Sequence, residues 1–179
     1  MKRYFTIALL VAVMFVIIKS VYDQTQKPSA KAVRLACHTK SVVFEKVQNQ
    51  ALIKELQNAL RSGDVVITTK TLEAKHMPTR LFAYLKASDV EQKTHQELTK
   101  HALSSPVQKK ASIEITIYEN DKLDPGKKNI EAKLYAGYLI YQFSLDTQPV
   151  YKIQIDFMDL KASDVDEKIV CAIDSVMSL

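Results

Sequence analysis

An apolar run near the amino terminus constrains this chain more than any other feature. Three residues, two of them basic, precede residues 4–18, in which only Tyr4 and Thr6 carry polar side-chain atoms. As a helix rising ~1.5 Å per residue, residues 4–22 would reach about 28 Å, close to the thickness of a bilayer core. The run therefore predicts a transmembrane signal anchor over residues 1–23.

The residues around the run favour an anchor that is not cleaved. The expected membrane flanks are Lys2, Arg3, Tyr4, Lys19 and Tyr22, which place charges and aromatic rings at the two interfaces. One alternative is a cleaved secretory signal, but the small-x-small site that it requires does not follow the run. The other alternative is a buried core helix, and such helices seldom begin three residues from a basic terminus.

The topology and domain limits follow from the segments after the run. Basic residues flank the run on both sides, so the positive-inside rule is nearly balanced. A short basic head is typical of an uncleaved anchor, and we expect the body on the periplasmic side of an inner membrane. Residues 24–32 are polar, contain one proline and lack periodicity, which predicts a tether. Residues 33–179 then form an extracytoplasmic domain large enough for one core.

Alternating apolar and polar residues in the last third predict an antiparallel meander. Strands are expected around residues 113–117, 132–145 and 150–160, with turns at residues 124–127 and 146–149. Short turns join neighbouring strands as hairpins. Together with the helical segments, this pattern predicts an α+β fold in which helices pack on a meander of three or more strands.

Helical periodicity accounts for much of the remainder. Residues 47–62 form an apolar stripe that ends at Gly63, a residue suited to a left-handed terminus. Further helices are expected from Ser88 to about Leu103 and after Ser163. The other strand candidates are residues 65–72, residues 79–85 and, without clear periodicity, an edge strand within residues 33–46.

A six-residue segment occurs twice. Leu85-Lys-Ala-Ser-Asp-Val90 recurs as Leu160-Lys-Ala-Ser-Asp-Val165. One interpretation is a recognition loop used twice. The favoured interpretation is structural, because each segment has the residues of a helix start, with a serine cap and acids that complement the helix dipole. The expected helix caps are Ser88, Asp89, Ser163 and Asp164.

The two cysteines suggest a covalent link. At 100° per residue, Cys171 lies about 200° from Ile169 and so falls outside the apolar stripe of the last helix. A thiol away from the core is unusual unless it is covered or bonded. We therefore expect a disulfide between Cys37 and Cys171, worth ~4–5 kcal/mol in the chain-entropy model. The alternative is two free thiols in a reducing compartment.

Motifs for catalysis and cofactor binding are absent from the sequence. There is no Gly-rich phosphate loop and no GxSxG, HExxH or CxxC. His95 and His101 would lie about 240° apart on a helix, and the neighbours Cys37 and His38 would point oppositely in a strand. We therefore expect no metal, no cofactor and no enzymatic activity.

Charge is divided unevenly along the chain. Residues 1–110 carry 18 basic and 8 acidic side chains, and residues 111–179 carry 7 and 12. Such asymmetry indicates a surface that faces a membrane or a partner, here the lipid bilayer beside the tether. Nucleic acid is not expected, because the basic residues are scattered and the body alone is nearly neutral.

Aromatic residues of the meander form the candidate binding surface: Tyr118, Tyr135, Tyr138, Tyr141, Phe143 and Tyr151. Either helices bury the sheet on both sides, or one face is an aromatic wall for a ligand or a partner. We expect a non-catalytic interaction module, an accessory or co-regulatory subunit of an envelope complex with a membrane-protein partner. The alternative function is binding or sensing of a small lipid or sterol-like molecule.

Overall fold

The residues that the structure describes form five strands and three α-helices. The computed structural model describes residues 34–103, 109–127 and 129–179. The strands are β1 (Val43–Val47), β2 (Val65–Leu72), β3 (Ala111–Glu119), β4 (Gly137–Leu145) and β5 (Gln148–Phe157). The helices are α1 (Ile53–Arg61), α2 (Ala87–Lys100) and α3 (Val165–Met177). The predicted α+β class is confirmed.

The strands form one mixed sheet in the order β1-β5-β4-β3-β2. The predicted meander is confirmed, because β3, β4 and β5 pair antiparallel in succession. β1 adds to β5 antiparallel and occupies one edge. β2 pairs with β3 in parallel and occupies the other edge, since α2 carries the chain back between these two strands.

The three described helices cover one face of this sheet. Odd-numbered residues of β4 are buried and even-numbered residues are half-buried, so the strand has an inner and an outer side. The inner side packs on the helices, as shown by a bond of 3.0 Å between Thr94 Oγ1 on α2 and the Tyr141 hydroxyl. We call the other side the open face. For the described residues, the expectation that helices bury both sides of the sheet is therefore wrong.

Two glycines occupy positions where a side chain would be costly. Gly63 follows α1 with a φ of +83°, which confirms the predicted left-handed terminus. Gly137 begins β4, and a Cβ there would lie 2.5 Å from the Tyr118 carbonyl oxygen and 2.5 Å from the Phe157 ring. Close packing of β4 between its two neighbours therefore depends on this glycine.

Some predicted boundaries are wrong. The first helix is shorter than residues 47–62, since its start is a 3-10 turn at Gln50–Leu52. The strand expected at residues 79–85 is a 3-10 turn, Leu81–Ala83. There the Arg80 and Leu81 N–H groups donate to a buried carboxylate, Glu119, instead of to a neighbouring strand.

The boundaries at β4 and β1 also differ from expectation. The strand expected from residue 132 begins only at Gly137, after a 3-10 turn at Glu131–Lys133. Within residues 33–46, the edge strand is limited to β1, and a 3-10 turn spans Ala36–Thr39.

The predicted serine caps are wrong. α2 begins at Ala87, so Ser88 lies inside the helix, and its hydroxyl donates to Asp89 Oδ1 at 3.2 Å. The Ser163 hydroxyl donates to Asp159, and neither helix has a side-chain cap bond. Asp164 instead accepts the Met158 N–H at 2.9 Å, so its carboxylate closes the turn before α3.

The membrane-anchor predictions lie outside the described residues. They comprise the anchor over residues 1–23, the tether over residues 24–32 and the flanks Lys2, Arg3, Tyr4, Lys19 and Tyr22. Within the described ranges, every helix is too short or too polar to cross a bilayer.

Candidate functional site

The open face of the sheet carries several exposed or half-buried apolar side chains. Three of them are strongly exposed: Val66 at 53%, Phe44 at 46% and Leu72 at 44%. Tyr118, Tyr138 and Ile140 are half-buried between them. Large apolar side chains on a face without covering helices are typical of an interaction surface.

Strand register brings these residues together in two neighbouring rows, except for Val66, which pairs with Ser112 farther along β2. One row runs Leu72, Tyr118, Tyr138 and Asp156 across four strands. The next row runs Lys70, Thr116, Ile140, Gln154 and Phe44 across all five strands. The rows place apolar, aromatic and polar groups side by side, a mixture that resembles the composition of protein–protein interfaces.

Three groups lie around the ring of Tyr138 in the first row. The ring centroids of Tyr118 and Tyr138 are 5.7 Å apart, and the Tyr135 ring is 6.3 Å from that of Tyr138. The Lys127 ammonium lies 5.9 Å from the Tyr138 centroid, within range of a cation–π contact. Burial, with nearby Asp156, raises the pKa of Tyr138 to about 12, so the ring remains neutral at physiological pH.

Asp156 is a buried acid on the open face. It is only 5% exposed, and its Oδ1 accepts a bond from Gln154 Nε2 at 3.1 Å. Burial raises the pKa of Asp156 to about 6 and outweighs the opposite effect of the Gln154 bond. The open face therefore contains a carboxyl group that changes charge near neutral pH.

The six predicted binding residues divide between the two sides of the sheet. Tyr118 and Tyr138 lie on the open face, and Tyr135 lies beside it just before β4. Tyr141, Phe143 and Tyr151 are fully buried on the inner side. Because successive side chains alternate across a strand, a run rich in tyrosine supplies both sides at once.

The buried tyrosines have structural partners. The Tyr141 hydroxyl bonds to Thr94, and the Tyr151 hydroxyl donates to Glu45 Oε2 at 2.5 Å. Burial raises the pKa of both phenols. Their polar ends are thus satisfied inside the protein, as buried tyrosines require.

Sequence reasoning missed a buried polar cluster at the end of β3. Glu119 accepts backbone N–H bonds from Ala74 at 3.3 Å, Arg80 at 2.7 Å and Leu81 at 2.9 Å. Burial opposes ionisation of Glu119, but the Arg80, Thr79, Leu81 and Ala74 donors hold its pKa below the usual value. This carboxylate fastens the segment between β2 and α2 to the sheet.

Asp121 fastens the same segment from the next turn. It accepts the N–H groups of Lys75 at 2.9 Å and His76 at 2.8 Å, and it contacts His76 Nδ1 at 2.7 Å. Burial opposes ionisation here too, but the His76, Lys75 and Leu123 donors lower the pKa of Asp121 to about 2.

Asn120 lies between these acids and positions the tyrosine pair. Its Nδ2 donates to the Ala132 and Tyr135 carbonyls, each at 2.8 Å, and its Oδ1 accepts the Tyr138 hydroxyl at 3.0 Å. The sequence signal for this buried cluster is the run of three polar residues, Glu119 to Asp121, at the end of apolar β3. Such residues are normally assigned to solvent, and here all three are buried.

The predicted disulfide is confirmed. Cys37 and Cys171 are bonded, with their Cα atoms 5.8 Å apart, within the range that a disulfide requires. Cys171, which the helix period places outside the apolar stripe of α3, is buried and is bonded to the 3-10 turn at Ala36–Thr39. The link joins the first turn of the domain to its last helix.

Polar contacts reinforce this junction. Arg34 makes a two-point contact with Glu45, at 3.1 and 2.7 Å, and donates to the Ser175 carbonyl at 2.7 Å. Burial opposes ionisation of Glu45, but Arg34 and Tyr151 hold its pKa below the usual value. Gln57 Nε2 donates to the Val176 carbonyl at 3.0 Å. The Arg34 guanidinium and the Gln57 amide thus donate hydrogen bonds to carbonyl groups at the C-terminal end of α3, which have no partner within the helix.

The junction also brings three possible metal ligands together. Cys37, His38 and Cys171 each offer a ligand atom, and all three atoms lie within 4.8 Å of one another. We expected Cys37 and His38 to point oppositely, but they occupy a 3-10 turn rather than a strand. Both sulfurs are used by the disulfide, and His38 Nε2 lies 2.8 Å from Ser175 Oγ.

The two copies of the repeated segment meet in space. They lie at the starts of α2 and α3, where Val90 and Val165 are both buried. Lys93 on α2 pairs with Asp166 on α3, and a cleft of about 130 Å³ lies between the helix starts. The repeat therefore contributes to the contact between the two helices.

Comparison of the chain with protein-family models, curated proteins and solved structures found no match.

Proposed function

We propose that this chain is a non-catalytic interaction module that presents the open face of its sheet to a membrane-protein partner. In this proposal residues 1–23 anchor the chain in an inner membrane and residues 33–179 lie on the periplasmic side. The observation that carries the proposal is the open face itself, where Phe44, Val66 and Leu72 are each at least 44% exposed. Confinement to the membrane raises the effective concentration, so a modest affinity would suffice for binding.

The disulfide supports the proposed compartment. Disulfides such as Cys37–Cys171 persist in oxidising compartments and are rare in the cytosol. The bond also ties the start of the domain, where the tether would arrive, to its last helix.

A protein partner has more support than a lipid or sterol-like ligand. Sites for drug-sized molecules commonly enclose roughly 300–1,000 Å³. The cleft between α2 and α3 measures about 130 Å³. A wider depression of about 500 Å³ is lined by α2 alone and has no opposite wall. Three of the six predicted aromatic residues, Tyr141, Phe143 and Tyr151, are already packed in the core.

Site-specific photo-crosslinking of the full chain in intact cells tests the proposal. A benzophenone amino acid at Phe44 or Tyr118 places the probe on the open face, and the same probe at Gln92 reports on the exposed side of α2. We expect the two open-face probes to capture one membrane protein that the Gln92 probe does not capture. Equal capture from all three positions, or none from the open face, would contradict the proposal.

A further inference from the structure

The junction between the first turn of the domain and α3 holds three side chains of the types that bind soft metal ions. Cys37, His38 and Cys171 each offer one ligand atom, and these atoms lie within 4.8 Å of one another. The sulfur and nitrogen ligands of one tetrahedral zinc ion are roughly 3.5–3.8 Å apart, given the usual bond lengths to the metal. Side-chain shifts of about 1 Å would therefore bring all three atoms onto one ion.

The oxidation state of the cysteines decides whether the sulfurs are available. In the oxidised chain they are bonded to each other. A dithiol reductant opens this bond by transferring two electrons and two protons, which leaves two thiols in the protein and a disulfide in the reductant. The contacts of Arg34 with Glu45 and with the Ser175 carbonyl, both at 2.7 Å, do not involve the sulfurs. We expect these contacts to keep the two thiols close together after reduction.

His38 is oriented by the same helix turn that carries Cys171. The residue is only 5% exposed, and its Nε2 lies 2.8 Å from Ser175 Oγ. Ser175 Oγ donates its own hydrogen to the Cys171 carbonyl at 2.7 Å, so it accepts the bond from the His38 Nε2–H. Nδ1 therefore holds the lone pair of the ring, and its bond from the Arg34 N–H is long, at 3.4 Å. A metal-binding histidine usually donates its other ring N–H to a fixed partner of this kind.

The local backbone allows two adjacent residues to serve one site. Neighbouring side chains point oppositely in a strand, but Cys37 and His38 lie in the 3-10 turn at Ala36–Thr39. Cys37 is half-buried, and the residues on either side of the pair, Ala36 and Thr39, are exposed. An ion can therefore reach the sulfurs from solvent through this turn.

We infer that the reduced chain binds one Zn²⁺ ion through the sulfurs of Cys37 and Cys171 and through Nδ1 of His38, with a solvent molecule as the fourth ligand. Two thiolates and one imidazole are a ligand set that zinc adopts in sites with an open position. Both thiol protons are released when the ion binds. The ion takes the place of the disulfide and holds the start of the domain on α3. This inference concerns the junction alone and does not depend on the partner proposed for the open face.

Metal analysis of the full chain, purified in detergent, tests the inference. One sample keeps the disulfide, and the other is reduced with a phosphine in the absence of oxygen. Each receives Zn²⁺ and is then separated from unbound ion by gel filtration. We expect about one zinc ion per reduced chain and less than about a tenth of that in the oxidised chain, since the ligands must be thiolates. Co²⁺ added in place of Zn²⁺ should give the absorption of thiolate–cobalt bonds in the reduced chain only.

Matched histidine variants test the third ligand. His38→Gln removes the imidazole but keeps an amide that can bond to Ser175, and we expect it to lower the zinc affinity of the reduced chain at least about tenfold. His95→Gln removes an exposed imidazole on α2 and should leave the affinity unchanged. If His38→Gln does not fold, Ser175→Ala takes its place. This variant keeps all three ligands and should lower the affinity about tenfold, because the ring loses its fixed partner.

Thermal unfolding supplies a second measurement. Zinc should raise the melting temperature of the reduced chain, because it binds the folded state, and should leave that of the oxidised chain unchanged. Equal zinc content in the two samples, no zinc in the reduced chain, or an affinity that neither His38→Gln nor Ser175→Ala changes would overturn the inference. A zinc ion shared between two chains, seen as a reduced dimer on gel filtration, would overturn it as well.

Discussion

Tyr118 and Tyr138 are register partners on β3 and β4, and their ring centroids lie 5.7 Å apart on the face of the sheet that no described helix covers. The Tyr138 hydroxyl donates to buried Asn120 at 3.0 Å. Within the described ranges, the Tyr118 hydroxyl has no protein partner. Both rings therefore contribute to the open face, but only the Tyr138 hydroxyl connects this face to the loop after β3.

Removal of the Tyr138 hydroxyl should weaken the fold without removing the surface. We expect Tyr138→Phe to lower the free energy of unfolding by about 0.5–1.5 kcal/mol, since Asn120 loses one hydrogen bond. Denaturant unfolding of the full chain in detergent measures the change, and Tyr118→Phe is the matched control. An equal loss in both variants would show that the Asn120 bond does not contribute.

The disulfide should dominate the stability of the junction between the start of the domain and α3. We expect Cys171→Ser to lower the free energy of unfolding by roughly 2–5 kcal/mol, because the bond closes a long loop. Cys37→Ser should have the same effect, and the double variant should add little to either. Losses that simply add, or two thiols that react freely with an alkylating reagent in the native chain, would exclude the bond.

Asp156 should make stability fall as the pH rises toward neutrality. Its pKa is about 6 in the folded chain and ~3.9 in an unfolded one, so the folded state holds the proton between these values. Its stabilising contribution is complete below about pH 4 and is lost as the pH rises through 6.

The Asp156→Asn variant tests this dependence. We expect it to be more stable than the natural chain at pH 7 by roughly 1–3 kcal/mol and no more stable at pH 4. Unfolding of the full chain at several pH values provides the measurement, with exposed Asp89→Asn as the control. Parallel pH profiles for Asp156→Asn and the natural chain would contradict the assignment.

Glu119 should have the opposite pH dependence, because its pKa is lowered in the fold. Its contribution is present above the usual carboxyl pKa and is lost as the pH falls below it. We expect Glu119→Gln to cost about 1–3 kcal/mol, since one amide oxygen replaces a carboxylate that accepts three backbone N–H groups. Exchange of the Arg80 and Leu81 amide hydrogens should become faster. Unchanged exchange relative to the control Glu131→Gln would show that this carboxylate does not hold the loop.

The regular elements were predictable because their patterns are local. The alternation in β3 and β5, the β-branched run of β2 and the apolar stripe of α3 each predict the observed element. The disulfide was predictable for the same kind of reason, since the angle of Cys171 on its helix needs only the helix period. These features depend on neighbouring residues and not on how distant segments meet.

The composition of the open face depends on distant contacts and was only half predicted. Tyr138 and Tyr141 are equally plausible binding residues in the sequence. Tyr141 is buried because α2 packs on its side of the sheet. Phe44, Val66 and Leu72 come from the two edge strands, whose positions in the sheet have no local signature. Ser88 and Ser163 were expected as caps, but the Ser88 hydroxyl donates to the neighbouring Asp89 and the Ser163 hydroxyl donates to Asp159.

Retention of the partner by matched charge variants tests the open face most directly. Phe44→Glu places a negative charge on the open face, and Gln92→Glu places the same charge on the exposed side of α2. The protein that photo-crosslinking captures from the open face is quantified after purification of each full-length variant from detergent. We expect Phe44→Glu to retain about tenfold less partner than the natural chain, as loss of an aromatic interface contact commonly does, and Gln92→Glu to retain it fully. Equal retention by the two variants would contradict the assignment of the open face as the binding surface.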